Sequence, residues 1–185
     1  MNKTKILLCD PRHKTVGAHS YFVPIGIGYI ASNLLKVFKG KVDVKLSVNV
    51  EETINFLEEW KPDIIGISNY IWNSHLSNYL CEFAKKLNNN TLCVLGGPEF
   101  PAGTGSIRIE DNDKDKTYTK TKNYMVERPA VDYFAYTDGE VAFVELLNKY
   151  FENNCSTKTM KDKELIIKGC VSLNKSSELL VGQYL

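Results

Sequence analysis

The residues of this chain best placed to do chemistry are glycines gathered into turns, together with five cysteines and three histidines. Val23-Pro-Ile-Gly-Ile-Gly-Tyr-Ile-Ala-Ser32 puts Gly26 and Gly28 into the first turns of a segment with helical periodicity. Each glycine there costs roughly 0.5–1 kcal/mol relative to alanine. The pair, followed by Ala31 and Ser32, therefore implies that a ligand or another backbone passes too close for side chains. Small or polar turns recur in Ser68-Asn-Tyr-Ile-Trp-Asn-Ser74, Gly96-Gly-Pro-Glu-Phe-Pro101 and Thr137-Asp-Gly-Glu140. Turns of this kind along one edge of a sheet would line a broad crevice.

Phosphate binding is the first chemistry to test against these turns, and the spacing argues against it. Gly26-Ile-Gly28 lacks the third glycine of Gly-x-Gly-x-x-Gly, and Gly-x-x-x-x-Gly-Lys-Ser/Thr does not occur. Asp10-Pro-Arg-His-Lys-Thr-Val-Gly17 is a poor match to the Ser/Thr/Gly-rich loop that grips a flavin phosphate. A phosphoryl-accepting module needs an aspartate after its third strand and a lysine after its fifth, where this chain has Ser68-Asn69 and Thr137-Asp138. Cys9, Cys81, Cys93, Cys155 and Cys170 are widely spaced without a Cys-x-x-Cys pair, which argues against a disulfide framework or a zinc site. Cys9 and Cys93 lie in apolar runs, as small hydrophobes do. No nucleophile and base can be paired from the sequence.

The elements that must position these turns follow from hydrophobic periodicity. Residues 6–9, 42–47, 64–68, 92–95 and 133–136 are short apolar runs that read as buried strands. Between them, 25–38, 51–60, 75–87 and 139–151 carry apolar residues at helical spacing, for instance Ile54, Leu57 and Trp60. Pro62 stops the second helix before the third strand. Alternating strands and helices predict right-handed βαβ units and an open parallel sheet covered on both faces. The expected architecture is α/β and flavodoxin-like, with five parallel strands in the order 2-1-3-4-5, and ligands bound at the carboxyl ends of the strands near the switch point.

Two regions break the alternation. Residues 102–128 are rich in Asp, Lys, Thr and Asn and read as an exposed insertion between the fourth and fifth strands, with room for a short hairpin or helix. Residues 152–163 read as a polar linker, and 165–173 with 178–185 as a β-hairpin around Asn174-Lys-Ser-Ser177. With 23 basic and 22 acidic residues there is no electrostatic footprint for nucleic acid or an anionic membrane. The absence of a signal-peptide pattern or an apolar spanning run leads to an expected cytoplasmic location.

Taken in order, several motifs resemble the N-terminal cobalamin (vitamin B12)-binding domain of cobalamin-dependent radical SAM enzymes. They are Pro24-x-Gly26-x-x-Tyr29-x-Ala31, Lys61-Pro-Asp-Ile-Ile-Gly-Ile-Ser68, Gly96-Gly97-Pro98-Glu99, and Asp132 followed by Asp138-Gly139-Glu140 and Phe143. The resemblance runs from about residue 5 to 150. It implies a corrin ring over the carboxyl edge of the sheet, and a detached dimethylbenzimidazole tail in the crevice between the first and third strands. Gly26, Gly28, Ser68, Gly96 and Gly97 would make room for that tail, with Asn69 beside them. Tyr70 and Trp72 lie where they would line the pocket, whereas Tyr79 and Phe83, at helical spacing, read as core. Glu99 and Glu140 would accept hydrogen bonds from amide side chains of the cofactor, or Glu140 simply occupies the first turn of its helix.

The sequence also departs from related patterns. Cobalamin domains that ligate cobalt through histidine carry Asp-x-His-x-x-Gly, but this chain has Asp10-x-x-His13-x-x-x-Gly17, so His13 is not expected to be a metal ligand. No cysteines have the Cys-x-x-x-Cys-x-x-Cys spacing that holds a [4Fe–4S] cluster. The expectation is a cobalamin-binding module at residues 1–151, with 152–185 leading towards a radical SAM domain. S-adenosylmethionine and the cluster would belong to that domain, outside this chain. The rival is a flavodoxin-like interaction domain that has lost its ligand.

Overall fold

The computed structural model describes residues 3–12, 23–101 and 114–183. Strands β1 (Thr4–Cys9), β2 (Val42–Ser47), β3 (Ile64–Ser68), β4 (Leu92–Gly96) and β5 (Tyr133–Ala135) form parallel neighbours in the order β2-β1-β3-β4-β5. This is the expected order, with β1 and β3 in parallel register from Ile6 opposite Ile64 to Cys9 opposite Ile67. The C-terminal hairpin, β6 (Cys170–Leu173) and β7 (Leu179–Val181), does not stand apart. It adds antiparallel strands to β5 and completes a seven-stranded sheet.

Successive strand residues point to opposite faces, and each face has its own core. Ile6, Leu8, Ile64, Leu92, Val94 and Tyr133 pack beneath α1 (Ile25–Val37) and α5 (Gly139–Glu152). Leu7, Cys9, Ile65, Ile67, Cys93 and Leu95 pack on the other face, beneath α2 (Val50–Asn55), α3 (Ser74–Leu87) and α4 (Lys114–Val126). Asn49 starts α2 by accepting hydrogen bonds from the Glu51 and Glu52 amides. The helix continues as a π-helical turn, Phe56–Trp60, and ends at Lys61 in the left-handed region just before Pro62. Cys9 and Cys93 are buried in strands, and desolvation pushes the Cys9 thiol up to about 12.

The structure corrects three readings. The second half of the polar 102–128 segment forms a helix, α4, for which the sequence left room, but its end packs against the sheet and is not exposed. Tyr124 and Met125 are buried there, with the Tyr124 ring 5.6 Å from Phe100 and 5.9 Å from Phe134 between centroids. Within the polar linker lies α6 (Thr157–Asp162), capped by the Ser156 hydroxyl accepting from the Thr159 amide and anchored by fully buried Met160. Finally, Tyr79 is 52% exposed and stacks on Phe83, because the inward face of α3 is built from Ser77, Leu80, Cys81 and Ala84. Among the described residues no helix is long and apolar enough to cross a membrane.

Candidate functional site

At the carboxyl ends of β1, β3, β4 and β5 the sheet runs out of large side chains on the face below α1 and α5. Across the register Leu8 lies opposite Gly66, and two residues further along the strands Gly96 of β4 lies opposite Ala135 of β5. The result is a crevice of about 210 Å³, floored by these residues and walled by Gly26, Ile27 and Ile30 of α1 and by Gly139, Glu140 and Phe143 of α5. Gly66 makes the shape possible. A Cβ built on it would lie 2.5 Å from Phe143 Cζ and 2.8 Å from Leu8 Cδ2. Sequence reasoning passed over Gly66 as a site residue. Its signal was a glycine inside a buried strand, where a close approach is the usual cause.

The crevice opens into a wider mouth of about 610 Å³, and the two share Gly26, Ile27, Ser68 and Tyr70. On one side of the mouth are Asp10 and Arg12, ion-paired at 3.0 Å, and on the other Val23, Pro24 and Ile25. Tyr70 and Trp72 stack face to face there, 4.6 Å between centroids and 7° from parallel, with Trp72 61% exposed. Crevice and mouth together fall within the roughly 300–1,000 Å³ usual for small-molecule sites. Inside the crevice, the buried hydroxyl oxygen of Thr137 has no hydrogen-bond partner among the described residues. Buried polar groups are normally satisfied, so an unpartnered hydroxyl in a small-residue slot fits a heterocyclic ligand with a polar atom at its edge. Among the described residues no cluster of His, Cys, Asp or Glu is arranged to hold a metal ion.

Gly26, Ser68, Tyr70, Gly96, Gly97, Gly139 and Glu140 line the inner crevice, and Pro24 and Trp72 the mouth. Gly28, Tyr29, Asn69, Pro98, Glu99 and Asp138 line neither. Among the described residues, added Cβ atoms at Gly26 and Gly28 would meet nothing within 4 Å, so no described group demands either glycine. Tyr29 faces outward, 62% exposed. Asn69 is fully buried and turns away from the crevice, its Nδ2 donating to the Glu99 carbonyl at 2.9 Å and to the Tyr124 hydroxyl oxygen at 2.7 Å. Asp138 starts α5 through its backbone, with its carbonyl accepting from the Val141 and Ala142 amides. Glu140 lies in that first turn, where its backbone carbonyl accepts from Asn33 Nδ2 of α1. His13 and His19 lie outside the described residues, and His75 is exposed on α3.

These features define a class: a flavodoxin-like open α/β sheet with a crevice at its switch point. Residues 15–104 match the model of the B12 binding domain. The chain's relatives include the cobalamin-dependent radical SAM methyltransferase TokK of Streptomyces tokunonensis, 26% identical over 90% of this chain and 22% of TokK. An uncharacterized methyltransferase, PH0819, of Pyrococcus horikoshii is 26% identical over 68% of this chain and 24% of its own length. The 2-(S-pantetheinyl)-carbapenam-3-carboxylate methyltransferase of Streptantibioticus cattleyicolor is 28% identical over 46% and 10%. The chain thus spans a quarter or less of the curated relatives it matches. Among solved structures, a cobalamin-binding protein from Desulfitobacterium hafniense is similar at a TM-score of 0.47 and 15% identity, covering 80% of this chain and 59% of its own. The receiver domain of NtrC4 from Aquifex aeolicus is similar at 0.48 and 13%, covering 80% and 97%.

Proposed function

We propose that this chain is the cobalamin-binding module of a radical SAM methyltransferase and holds the cofactor base-off. The observation that carries the reading is the crevice floored by Gly66, Gly96 and Ala135, with the unpartnered Thr137 hydroxyl inside it. A narrow slot of small and apolar groups suits the flat dimethylbenzimidazole of a detached nucleotide tail, with Thr137 and Ser68 as hydrogen-bonding partners. The wide mouth suits the corrin, with Tyr70 and Trp72 offering flat faces to a conjugated ring. Bound cobalamin supplies the cobalt chemistry of methyl transfer, while the protein binds, orients and shields it. S-adenosylmethionine and a [4Fe–4S] cluster belong, in this reading, to a separate domain of a longer polypeptide, as the small share of TokK that the chain covers suggests. With all five cysteines free, we place the protein in the cytoplasm.

The test is direct. Purified protein mixed with hydroxocobalamin is expected to co-elute with the corrin absorbance on gel filtration, with the visible spectrum of a base-off form. Complete separation of protein and cobalamin would overturn the reading in favour of a docking module that binds no cofactor.

A further inference from the structure

We propose that Asn73 is the positioning residue of the mouth, tying the exit of β1 to the exit of β3 and holding the Tyr70–Trp72 pair in place. The proposal deepens the cobalamin reading and rests on it. Asn73 immediately precedes α3 and is only 1% exposed. Asparagine at that position ordinarily accepts a hydrogen bond from an amide of the helix's first turn. Here the side chain makes no such bond. Its Nδ2 donates instead to the Pro11 carbonyl at 3.1 Å and to the Ser68 carbonyl at 3.1 Å. Its Oδ1 accepts from the Tyr70 amide at 2.7 Å and from the Ser77 hydroxyl at 3.5 Å. Both donors and both acceptor positions of the carboxamide are thereby used.

The partners explain why this matters. Pro11 sits between Asp10 and Arg12, which form one wall of the mouth, and the amides of those two residues bond to the Ser47 and Val48 carbonyls along the β2 side. Ser68 ends β3 and lines both crevice and mouth. Between them β1 and β3 have parted company, and the Asn73 carboxamide spans the gap. The Asn73 amide also donates to the Tyr70 carbonyl at 3.1 Å, closing a tight turn over Tyr70, Ile71 and Trp72. One buried side chain therefore fixes the Asp10–Arg12 wall, the Ser68 edge and the aromatic pair relative to one another. If the mouth is assembled in only a fraction of molecules, apparent affinity falls by that fraction.

The experiment uses the full chain, hydrogen exchange at single-residue resolution, and titration with hydroxocobalamin. In the unsubstituted protein the Tyr70 amide is expected to exchange slowly although Ile71 beside it is 75% exposed. Fast exchange at Tyr70 would overturn the proposal without recourse to any variant. Asn73→Asp keeps the size and the acceptor for Tyr70 but turns two donors into lone pairs facing the Pro11 and Ser68 carbonyls. It is expected to weaken cobalamin binding by about tenfold or more, with exchange accelerated in residues 10–12 and 69–73 and β4 still protected. As pH falls and the introduced carboxyl gains a proton, one donor returns and affinity is expected to recover in part. The unsubstituted protein, with the same Asp10, His75 and Tyr70, supplies the control curve. Unchanged affinity in Asn73→Asp, or a loss with no pH-dependent recovery, would overturn the positioning role. Failure of the unsubstituted protein to bind cobalamin would overturn the cobalamin reading instead, and Asn73 would then stand or fall on the exchange measurement.

Discussion

Gly97 lies directly against the backbone of Asn69: a Cβ built on Gly97 would come within 2.6 Å of the Asn69 carbonyl oxygen and 3.1 Å of its nitrogen. Gly97 also holds φ at +127°, a region that other residues rarely adopt. The Asn69 amide donates to the Gly96 carbonyl at 2.6 Å, and the Glu99 amide donates to the Asn69 carbonyl at 3.2 Å. The turns after β3 and β4 are therefore locked together by main-chain contacts, and the glycine serves that lock. Gly97→Ala is expected to lower stability by about 1–3 kcal/mol through backbone strain, seen as an earlier urea midpoint with unchanged slope. An unshifted midpoint would contradict the contact.

Gly26 behaves in the opposite way. Among the described residues an added Cβ meets nothing within 4 Å, so a larger side chain has space there and extends into the crevice mouth. Replacing a helical glycine also removes backbone freedom from the unfolded chain, with a gain of roughly 0.5–1 kcal/mol. Gly26→Leu is expected to leave thermal unfolding cooperative and at least as high in temperature, while abolishing retention of hydroxocobalamin on gel filtration. Retention equal to that of the unsubstituted protein would place the ligand elsewhere.

The contrast between these glycines shows what was legible in the sequence. Four of the parallel strands were readable because each is a contiguous run of largely apolar residues and β2 because Val42, Val44 and Leu46 alternate with polar residues, and the crossover helices because Ile54, Leu57 and Trp60, or Val144, Leu147 and Phe151, repeat at helical spacing. Helix α4 was obscured because so few of its residues are apolar that Tyr124 and Met125 near its end form no stripe. Helix α6 was obscured because a single buried methionine, Met160, anchors so short an element. The reason for Gly97 was out of reach, since nothing local reveals that the Asn69 peptide, 28 positions earlier, presses on it. Asn73 was hidden in the same way, because its bond to Pro11 spans 62 residues.

Asp132, at the opposite end of β5 from the crevice, is the principal buried charge. Its carboxylate is fully buried, 2.6 Å from Lys85 Nζ and 3.3 Å from Lys161 Nζ, and accepts the Cys93 amide at 2.8 Å. Removing one partner of such a set leaves the other charge uncompensated, which costs about 3–5 kcal/mol. Asp132→Ala is expected to lose that much in chemical denaturation, whereas Lys161→Ala, whose side chain is 48% exposed, is expected to lose under about 1 kcal/mol. Equal losses would mean that burial does not set the energy here.

The cysteines predict a response to alkali. Burial raises the Cys9 and Cys170 thiols from an ordinary 9.0 to about 12, and Cys155 alone is exposed. Above pH 9 the unfolded chain releases these protons while the folded one keeps them. The unfolded state then binds fewer protons and stability falls as pH rises. The expected outcome is a decline beginning near pH 9 and continuing towards 12, shallower in Cys9→Ala/Cys170→Ala. At pH 8 a thiol reagent is expected to label one cysteine rapidly in the native protein and all five after unfolding. Rapid labelling of more than one would show that the cores open.

The floor of the crevice supplies the most discriminating test, because Gly66 joins packing to binding. Phe143 of α5 is 4% exposed and reaches down onto β3 into the space that Gly66 leaves, next to Leu8. A methyl group at position 66 would drive the ring and the Leu8 methyl apart in a close-packed layer, costing about 1–3 kcal/mol. The ring cannot retreat without lifting the first turns of α5, which carry Gly139 and Glu140 into the crevice wall. Gly66→Ala is therefore expected to lower the unfolding midpoint and weaken cobalamin binding together. Phe143→Leu removes the atom in closest conflict, so in that background the cost of Gly66→Ala should shrink, with a coupling of at least about 0.5 kcal/mol, the range found for residues in contact. Additive losses would show that the ring is not what the glycine accommodates. A stability loss without any loss of binding would separate the packing of β3 from the site above it.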